Sequence, residues 1–302
     1  MRVAITGGSG LIGRALSASL ARDHHEVIIL SRHPEQVVGL PAVVRAERWN
    51  PHIAEECRHL VEEADAVVNL AGENIAARRW TVDRKKQIRD SRLNAGRAML
   101  QALESATRKP RVVIQASAVG YYGLCGDEEL NEESPPGKDF LAQLAIDWEA
   151  STAQIERLGV RRAIIRTGVI LSPEGGAFPR LLLPFRLFVG GPLGSGRQWF
   201  PWIHIADEVG AIRFLLENES ASGPFNLSAP HPVTNADFAR MVGRQTKRPA
   251  FLPTPAFLLR LLFGEMATVL LDGQRAFPGR LMLMGYNFRF PEAAGALQDL
   301  LR

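Results

Sequence analysis

An α/β fold, with a doubly wound parallel sheet and a smaller C-terminal α/β lobe, is predicted by three features of this sequence. Short apolar runs alternate strictly with helical patterns from the N-terminus to about residue 170. The runs are continuously hydrophobic, as in RVAIT at residues 2–6 and RVVIQAS at 111–117, and strands buried on both faces read this way. The first run ends in spaced glycines that open a helix, which starts a βαβ unit.

Taken in order, the strand at 2–6 gives way to TGGSGLIG, with glycines at Gly7, Gly10 and Gly13. The helix after it carries Leu11, Ile12, Ala15, Leu16 and Leu20 at helical spacing. A second strand covers 26–30, a third 43–48, and a helix 53–63. Residues 65–72, DAVVNLAG, are an apolar run ended by small residues, so a buried strand opening onto a cleft is expected there. A long helix over 83–105 is charged early and apolar at Leu93, Met99, Leu100 and Leu103, and Pro110 closes it before the strand at 111–117. A helix over 138–158 carries Leu141, Leu144, Trp148 and Ile155, and a sixth strand spans 161–170.

After residue 171 proline, glycine and aromatic residues crowd the stretch 175–202. A helix at 207–217, a strand at 224–227 and a helix capped by Thr234 follow. Apolar helices at 255–263 and 265–271 and a last short helix complete the chain. Residues 1–170 are therefore expected to form a nucleotide-binding domain of Rossmann type, with segments around 203–228 returning to it. Residues 171–302 form a smaller substrate lobe that includes a distinct stretch at 248–302.

The glycines have a chemical meaning. Gly7 permits a tight turn, Gly10 lets backbone N–H groups approach a pyrophosphate, and Gly13 lets the helix sit close to the strand. The positive end of the helix, with Leu11 and Ile12 in its first turn, then faces the anion. The end of the second strand selects the dinucleotide: an acid there accepts from a ribose 2′-OH, whereas an arginine suits a 2′-phosphate. Here Ser31 and Arg32 occupy that place and no acid does, so NADP is expected over NAD. Arg32 as an ordinary solvated loop residue is the competing reading. Leu70 and Ala71 are expected beside the adenosine or pyrophosphate half.

Composition narrows the function classes. The chain has 302 residues, 46% of them hydrophobic, and a net charge of +4, with a pI near 9.4. Its basic residues are scattered among acids, with no basic run interleaved with aromatics, so nucleic acid is not an expected partner. Cys57 and Cys125 have neither metal spacing nor a disulfide framework, which fits a reducing compartment. No apolar run approaches the ~20 residues of a membrane span, and the first strand begins at Arg2, so no leader is expected and the location expected is the cytoplasm. His24, His25, His33, His52, His59 and His231 show no ligand spacing, and no metal is expected.

These segments together resemble the short-chain dehydrogenase/reductase superfamily in its extended, epimerase-like branch. TGGSGLIG, residues 65–72 and SAVGYYG at 117–123 carry the resemblance. A narrower likeness rests on NLAGEN at 69–74, Arg79-Trp80, Ser91-Arg92, GSGRQW at 194–199, WIHI at 202–205 and GQR at 273–275. These resemble a subfamily described as epimerase-like, or as a cell-division inhibitor, whose members carry a C-terminal domain of unknown function. The resemblance implies an NADP(H)-binding oxidoreductase or epimerase acting on a small polar substrate. It also implies a Tyr and, four residues later, a Lys on one helix face, where the lysine lowers the tyrosine pKa for proton transfer. Phe140 and Leu144 stand in those two slots, and the catalytic serine slot falls on Ala118, one place from Ser117.

Ser117 and Tyr121 are the remaining catalytic candidates, each weighed against a capping or packing role. Arg92 and, on the same helical face, Gln87 could reach cofactor phosphate or ribose, and Ile170 could wall the nicotinamide pocket. Arg197, Trp202 and His204, in the polar and aromatic loop at 190–204, are the substrate candidates. A non-catalytic NADPH-binding regulatory or scaffold protein is the alternative, motivated by Phe140 and Leu144.

Overall fold

The computed structural model describes residues 1–302. The chain begins with β1 (Arg2–Thr6), α1 (Leu11–Arg22), β2 (Glu26–Ser31), β3 (Val44–Arg48), α2 (Glu55–Glu63), β4 (Ala66–Asn69), α3 (Val82–Ser105) and β5 (Val112–Ala118). The short β6 (Glu129–Leu130), α4 (Phe140–Ala150), β7 (Arg161–Thr167), β8 (Val169–Leu171) and α5 (Phe178–Arg186) follow. Then come β9 (Trp199–Phe200), β10 (Trp202–His204), α6 (Ile205–Glu217), β11 (Gly223–Leu227), β12 (Val233–Thr234) and α7 (Asn235–Thr246). The C-terminal stretch holds α8 (Ala256–Phe263), α9 (Thr268–Leu271), β13 (Arg275–Ala276), α10 (Gly279–Leu283) and α11 (Ala293–Leu300).

Seven strands form one sheet in the order β11-β7-β5-β4-β1-β2-β3. Every pairing in it is parallel. The order reverses between β1 and β4, and ligands of open α/β sheets bind in the crevice at such a reversal. Strand periodicity splits the core between the two faces. Val3, Ile5, Val27, Ile29, Val68 and Ile114 pack with α1 and α6, while Ala4, Ile28, Leu30, Val67 and Val113 pack with α2 and α3. A separate apolar cluster joins Phe178, Leu182 and Phe185 of α5 to Phe238 and Val242 of α7 and Leu297 of α11.

Two elements expected to be continuous are broken. The strand read over 161–170 leaves the sheet at Gly168, whose N–H donates to Leu227 O at 2.9 Å. A Cβ on Gly168 would lie 2.2 Å from Pro201 O. Val169–Leu171 then pairs with β10, so the chain turns away toward the C-terminal lobe. The helix read over 138–158 ends as α4 at Ala150, and a separate 3-10 turn covers Ala153–Leu158. Two contacts hold the break: Arg162 Nη1, from β7, donates to Glu149 O at 2.8 Å, and the Ser151 hydroxyl turns back to Trp148 O at 2.6 Å. Ser151 also sits where only a glycine can face it, because a Cβ on Gly96 of α3 would lie 2.0 Å from Ser151 Oγ.

Candidate active site

The cleft at the C-terminal edge of the sheet starts at the turn between β1 and α1. Gly7 has φ +66, and a Cβ there would lie 2.7 Å from Leu70 O. Any side chain would therefore both strain the backbone and collide with the neighbouring strand end. Gly10 caps α1 with extended backbone, and the first turn of that helix contains no acid. Its leading N–H groups, from Leu11 onward, have no partner within the helix and are open to an anion. Gly13 packs so closely that a Cβ would lie 2.4 Å from the Gly8 Cα. Gly175 and Gly176, just beyond Ile170 on β8, lie over the side chain of Leu11.

Beneath Leu70 and Ala71 runs a buried polar rail that the sequence reading missed. Thr6 Oγ1 donates to Asn69 Oδ1 at 2.6 Å and accepts the Ala71 N–H at 3.2 Å. Asn69 Nδ2 donates to Gln115 Oε1 at 2.9 Å, and Gln115 Nε2 closes on Ala116 O at 2.8 Å. Three adjacent strands are thereby fixed in height where a cofactor would lie across them. The signal in the sequence was a polar residue near the end of each of three apolar strands.

At the end of β2 the Ser31 hydroxyl accepts the His33 N–H at 3.1 Å. The Arg32 guanidinium is 67% exposed, and its nearest carboxylate is Glu73 at 3.5 Å, on the loop after β4. Gln87 lies in a shallow hollow lined also by His52, Glu73, Arg84 and Ser91, and its Oε1 accepts from Arg84 at 3.2 Å.

Arg92 is buried beside Gly72, at the junction between this cradle and the other end of the cleft. Its Nη1 donates to Glu73 O at 3.0 Å and Ile88 O at 2.9 Å, and its guanidinium lies 4.8 Å from the Trp148 ring centroid. Burial brings Arg92 down to about 10, against the supporting charge of Glu73. It still carries its proton at neutral pH.

The far end of the cleft is a cavity of about 300 Å³ past the ends of β5 and β7. Phe140, Leu144 and Trp148 line it from successive turns of α4, so the two slots of the missing dyad do face the cavity, carrying apolar groups. Trp80, Phe200 and Leu270 add apolar wall, and Gln198, Trp199, Asp272 and Gln274 add polar atoms. Ala118 and Thr167 stand at the strand ends.

Ser117 and Tyr121 are held in a buried network and do not line this cavity. The Ser117 hydroxyl donates to Glu149 Oε1 at 2.6 Å. The same carboxylate receives Arg166 Nε at 2.9 Å and Nη2 at 3.0 Å, and Arg166 stacks 3.4 Å from the Tyr121 ring centroid. Burial opposes the charge on Arg166, but the hydrogen bonds and charge of Glu149 outweigh it and raise its pKa. The Tyr122 hydroxyl donates to Asn226 Oδ1 at 2.6 Å and accepts from Arg166 at 3.1 Å. Burial pushes Tyr122 up to about 12, so it keeps its proton at neutral pH, and that proton is given to Asn226 away from the cavity.

The loop at 190–204 reaches the cavity through different side chains from those expected. Arg197 is exposed to solvent. Trp202 is 1% exposed and packs in the C-terminal cluster. His204 caps α6, its Nδ1 accepting the Ala206 N–H at 3.0 Å, and its ring stacks 3.9 Å from Phe290. The reason is the pairing of β10 with β8, which buries Trp202 and His204, while Gln198, Trp199 and Phe200 before it turn to the cavity. The segments holding Trp80, Trp199 and Gln274 belong to the narrower family likeness, which was the available signal for them.

A family model described as the NAD dependent epimerase/dehydratase family matches residues 3–228, and a domain of unknown function (DUF1731) matches 254–300. The chain belongs to the NAD-dependent epimerase/dehydratase family. An epimerase family protein of Mycobacterium tuberculosis is 43% identical over 296 residues, covering 98% of this chain and 96% of that protein. Human epimerase family protein SDR39U1, solved with NADPH, superposes with a TM-score of 0.89 at 37% identity, covering 100% of this chain and 99% of that one. A structure named as a nucleoside-diphosphate sugar epimerase from Corynebacterium glutamicum superposes with a TM-score of 0.80 at 36% identity, and this chain spans 58% of its length. Within the family the glycine cradle is therefore accounted for, and the α4 face of this epimerase-family chain toward the cavity is apolar.

Proposed function

We propose that this protein holds NADPH across its cleft and uses it in an epimerase-like oxidoreduction of a small molecule. The observation that carries the reading is the glycine cradle, where Gly7 admits no Cβ and the acid-free N-terminus of α1 faces the cleft. Gly10, Leu11, Ile12 and Gly13 would hold the pyrophosphate by backbone N–H groups. Ser31 and Arg32 would receive the 2′-phosphate, and Leu70 and Ala71 would lie beneath the adenosine half. Arg92 would reach the cofactor's phosphate or ribose. Bound there, the cofactor supplies hydride chemistry. This chain orients the reactants, and the apolar walls of the cavity keep water from them.

A reducing compartment, the cytoplasm, suits the protein, with Cys57 buried and its thiol pushed up to about 12 by that burial. No helix is long and apolar enough to cross a membrane.

Phe140 and Leu144 favour a second reading, an NADPH-binding regulator without turnover. The test is a titration of NADPH and NADH into the protein, followed by NADPH oxidation across a panel of carbonyl compounds. Saturable NADPH binding with turnover of one panel member supports the enzyme; NADPH binding with none oxidised supports the regulator. Failure to bind either dinucleotide removes both.

A further inference from the structure

The cavity beyond the cofactor cradle carries information about its occupant, and the inference drawn from it rests on the NADPH reading above. Its volume of about 300 Å³ stands at the lower end of the range of roughly 300–1,000 Å³ seen for small-molecule pockets. The cofactor's ring must share that space, so the second ligand is small. Trp80, Phe140, Leu144, Trp148, Phe200 and Leu270 make the walls apolar and largely aromatic.

The charged groups that reach it are of one dominant sign. Arg92 is the only cation among the lining residues, and it is anchored to two carbonyls at the Gly72 end of the cleft. Asp139, Glu265 and Asp272 are its carboxylates. Glu265 is taken up by Lys85, which donates to both of its oxygens at 2.9 and 2.8 Å. Asp139 caps α4 by accepting the Ala142 N–H at 2.9 Å. Asp272 is left. Its pKa is raised by burial and by the Asp139 charge, against Arg260, and no hydrogen bond contributes.

Beside it the Gln198 amide is fixed, because Nε2 donates to Leu193 O at 2.9 Å and Leu270 O at 3.0 Å. That leaves Oε1 a buried acceptor with no partner. Around Asp272 and Gln198 no side chain compensates a diphosphate: a buried anion needs cationic or N–H partners, this end offers a carboxylate and an amide oxygen, and the one lining cation, Arg92, stands at the opposite, Gly72 end.

We propose that the cavity takes a small, largely apolar molecule bearing a hydroxyl or amine group, which the Asp272 carboxylate receives, and that it rejects nucleoside diphosphate sugars. Aromatic walls give such a molecule its affinity through buried area, and Asp272 gives it an orientation.

The experiment is calorimetric titration of the NADPH-loaded protein with tyramine, benzyl alcohol and UDP-glucose. The expected result is saturable binding of tyramine and benzyl alcohol and none of UDP-glucose. Asp272→Asn should weaken tyramine by about tenfold or more through loss of a charge-assisted hydrogen bond, with NADPH affinity and melting temperature unchanged. Phe140→Ala should weaken both aromatic probes, measured on protein kept saturated with NADPH. UDP-glucose binding in preference to the aromatic probes, tyramine binding indifferent to Asp272→Asn, or no probe bound by a protein that holds NADPH each overturns the inference. Failure to hold NADPH at the loading step overturns the functional reading instead, and the two failures are read in separate steps.

Discussion

At the β1–α1 turn the cleft is shaped by backbone: Gly7, Gly10 and Gly13 lie within seven residues, and the chemistry offered is that of N–H groups at a helix end. At the other end the cavity takes its walls from Trp80, the apolar face of α4, the loop at 198–201 and the segment 265–274, residues nearly two hundred positions apart. The scaffold beneath it is also different in kind, a charged network of Glu149, Arg166, Tyr122 and Asn226 in place of glycines. A backbone site binds what many relatives bind, because any sequence that makes the turn makes the site. A side-chain site is free to change its ligand, and on α4 this chain presents Phe140 and Leu144 to the cavity, neither of which can titrate.

The contrast can be broken most severely at the network. Glu149→Gln would leave the Arg166 guanidinium, 4% exposed, without its carboxylate. Removing one partner of a buried pair costs about 3–5 kcal/mol, which corresponds to a fall in Tm of roughly 5–8 °C for a chain this size. A melting curve unchanged by the substitution would mean that the cavity end does not depend on this pair. At the cradle, Gly7→Val should act on binding. The positive φ and the 2.7 Å approach to Leu70 O add strain of about 1–3 kcal/mol, so NADPH affinity should fall about tenfold to a hundredfold in a fluorescence titration.

Arg32→Ala separates the two dinucleotides. Loss of a charge-assisted contact of about 1.5–3 kcal/mol should reduce the preference for NADPH over NADH by at least about tenfold. Equal loss for both would show Arg32 to be a solvated loop residue.

The smallest effect concerns Glu208 of α6, fully buried, whose Oε1 accepts from Thr167 Oγ1 at 2.8 Å and whose Oε2 has no partner. Burial lifts its pKa from 4.5 to about 8. The folded protein therefore keeps a proton that the unfolded chain releases. Stability from this group is fully present below pH 4.5 and is lost as the pH rises toward about 8. Melting temperatures should decline over that window, and Glu208→Gln should flatten the decline while leaving Thr167 a hydrogen-bond partner.

Much of the sheet was legible because its strands are continuous apolar runs between glycine, proline and helical punctuation, and buried parallel strands require that composition. The cradle was legible for the same local reason: Gly7, Gly10 and Gly13 serve contacts only a few residues away in sequence or on the adjacent strand. Phe140 and Leu144 could be placed in the dyad slots by family likeness. The breaks at Gly168 and Ser151 could not be read, since each depends on a distant partner, Pro201 O in one case and the facing Gly96 in the other. Ser117 and Tyr121 looked free in the sequence because Glu149 and Arg166, which occupy them, lie tens of residues downstream.

What the sequence determined by itself was the order of strands and helices and the presence of a phosphate cradle, both fixed by periodicity and by backbone freedom within short windows. Tertiary structure alone decided which side chains face the cavity. Trp202 and His204 turn inward because β10 pairs with β8, and Gln198, Trp199 and Asp272 reach the ligand space because the C-terminal segment folds back against the sheet's edge. Side-chain direction depends on what each strand packs against, and that partner is chosen by the whole chain.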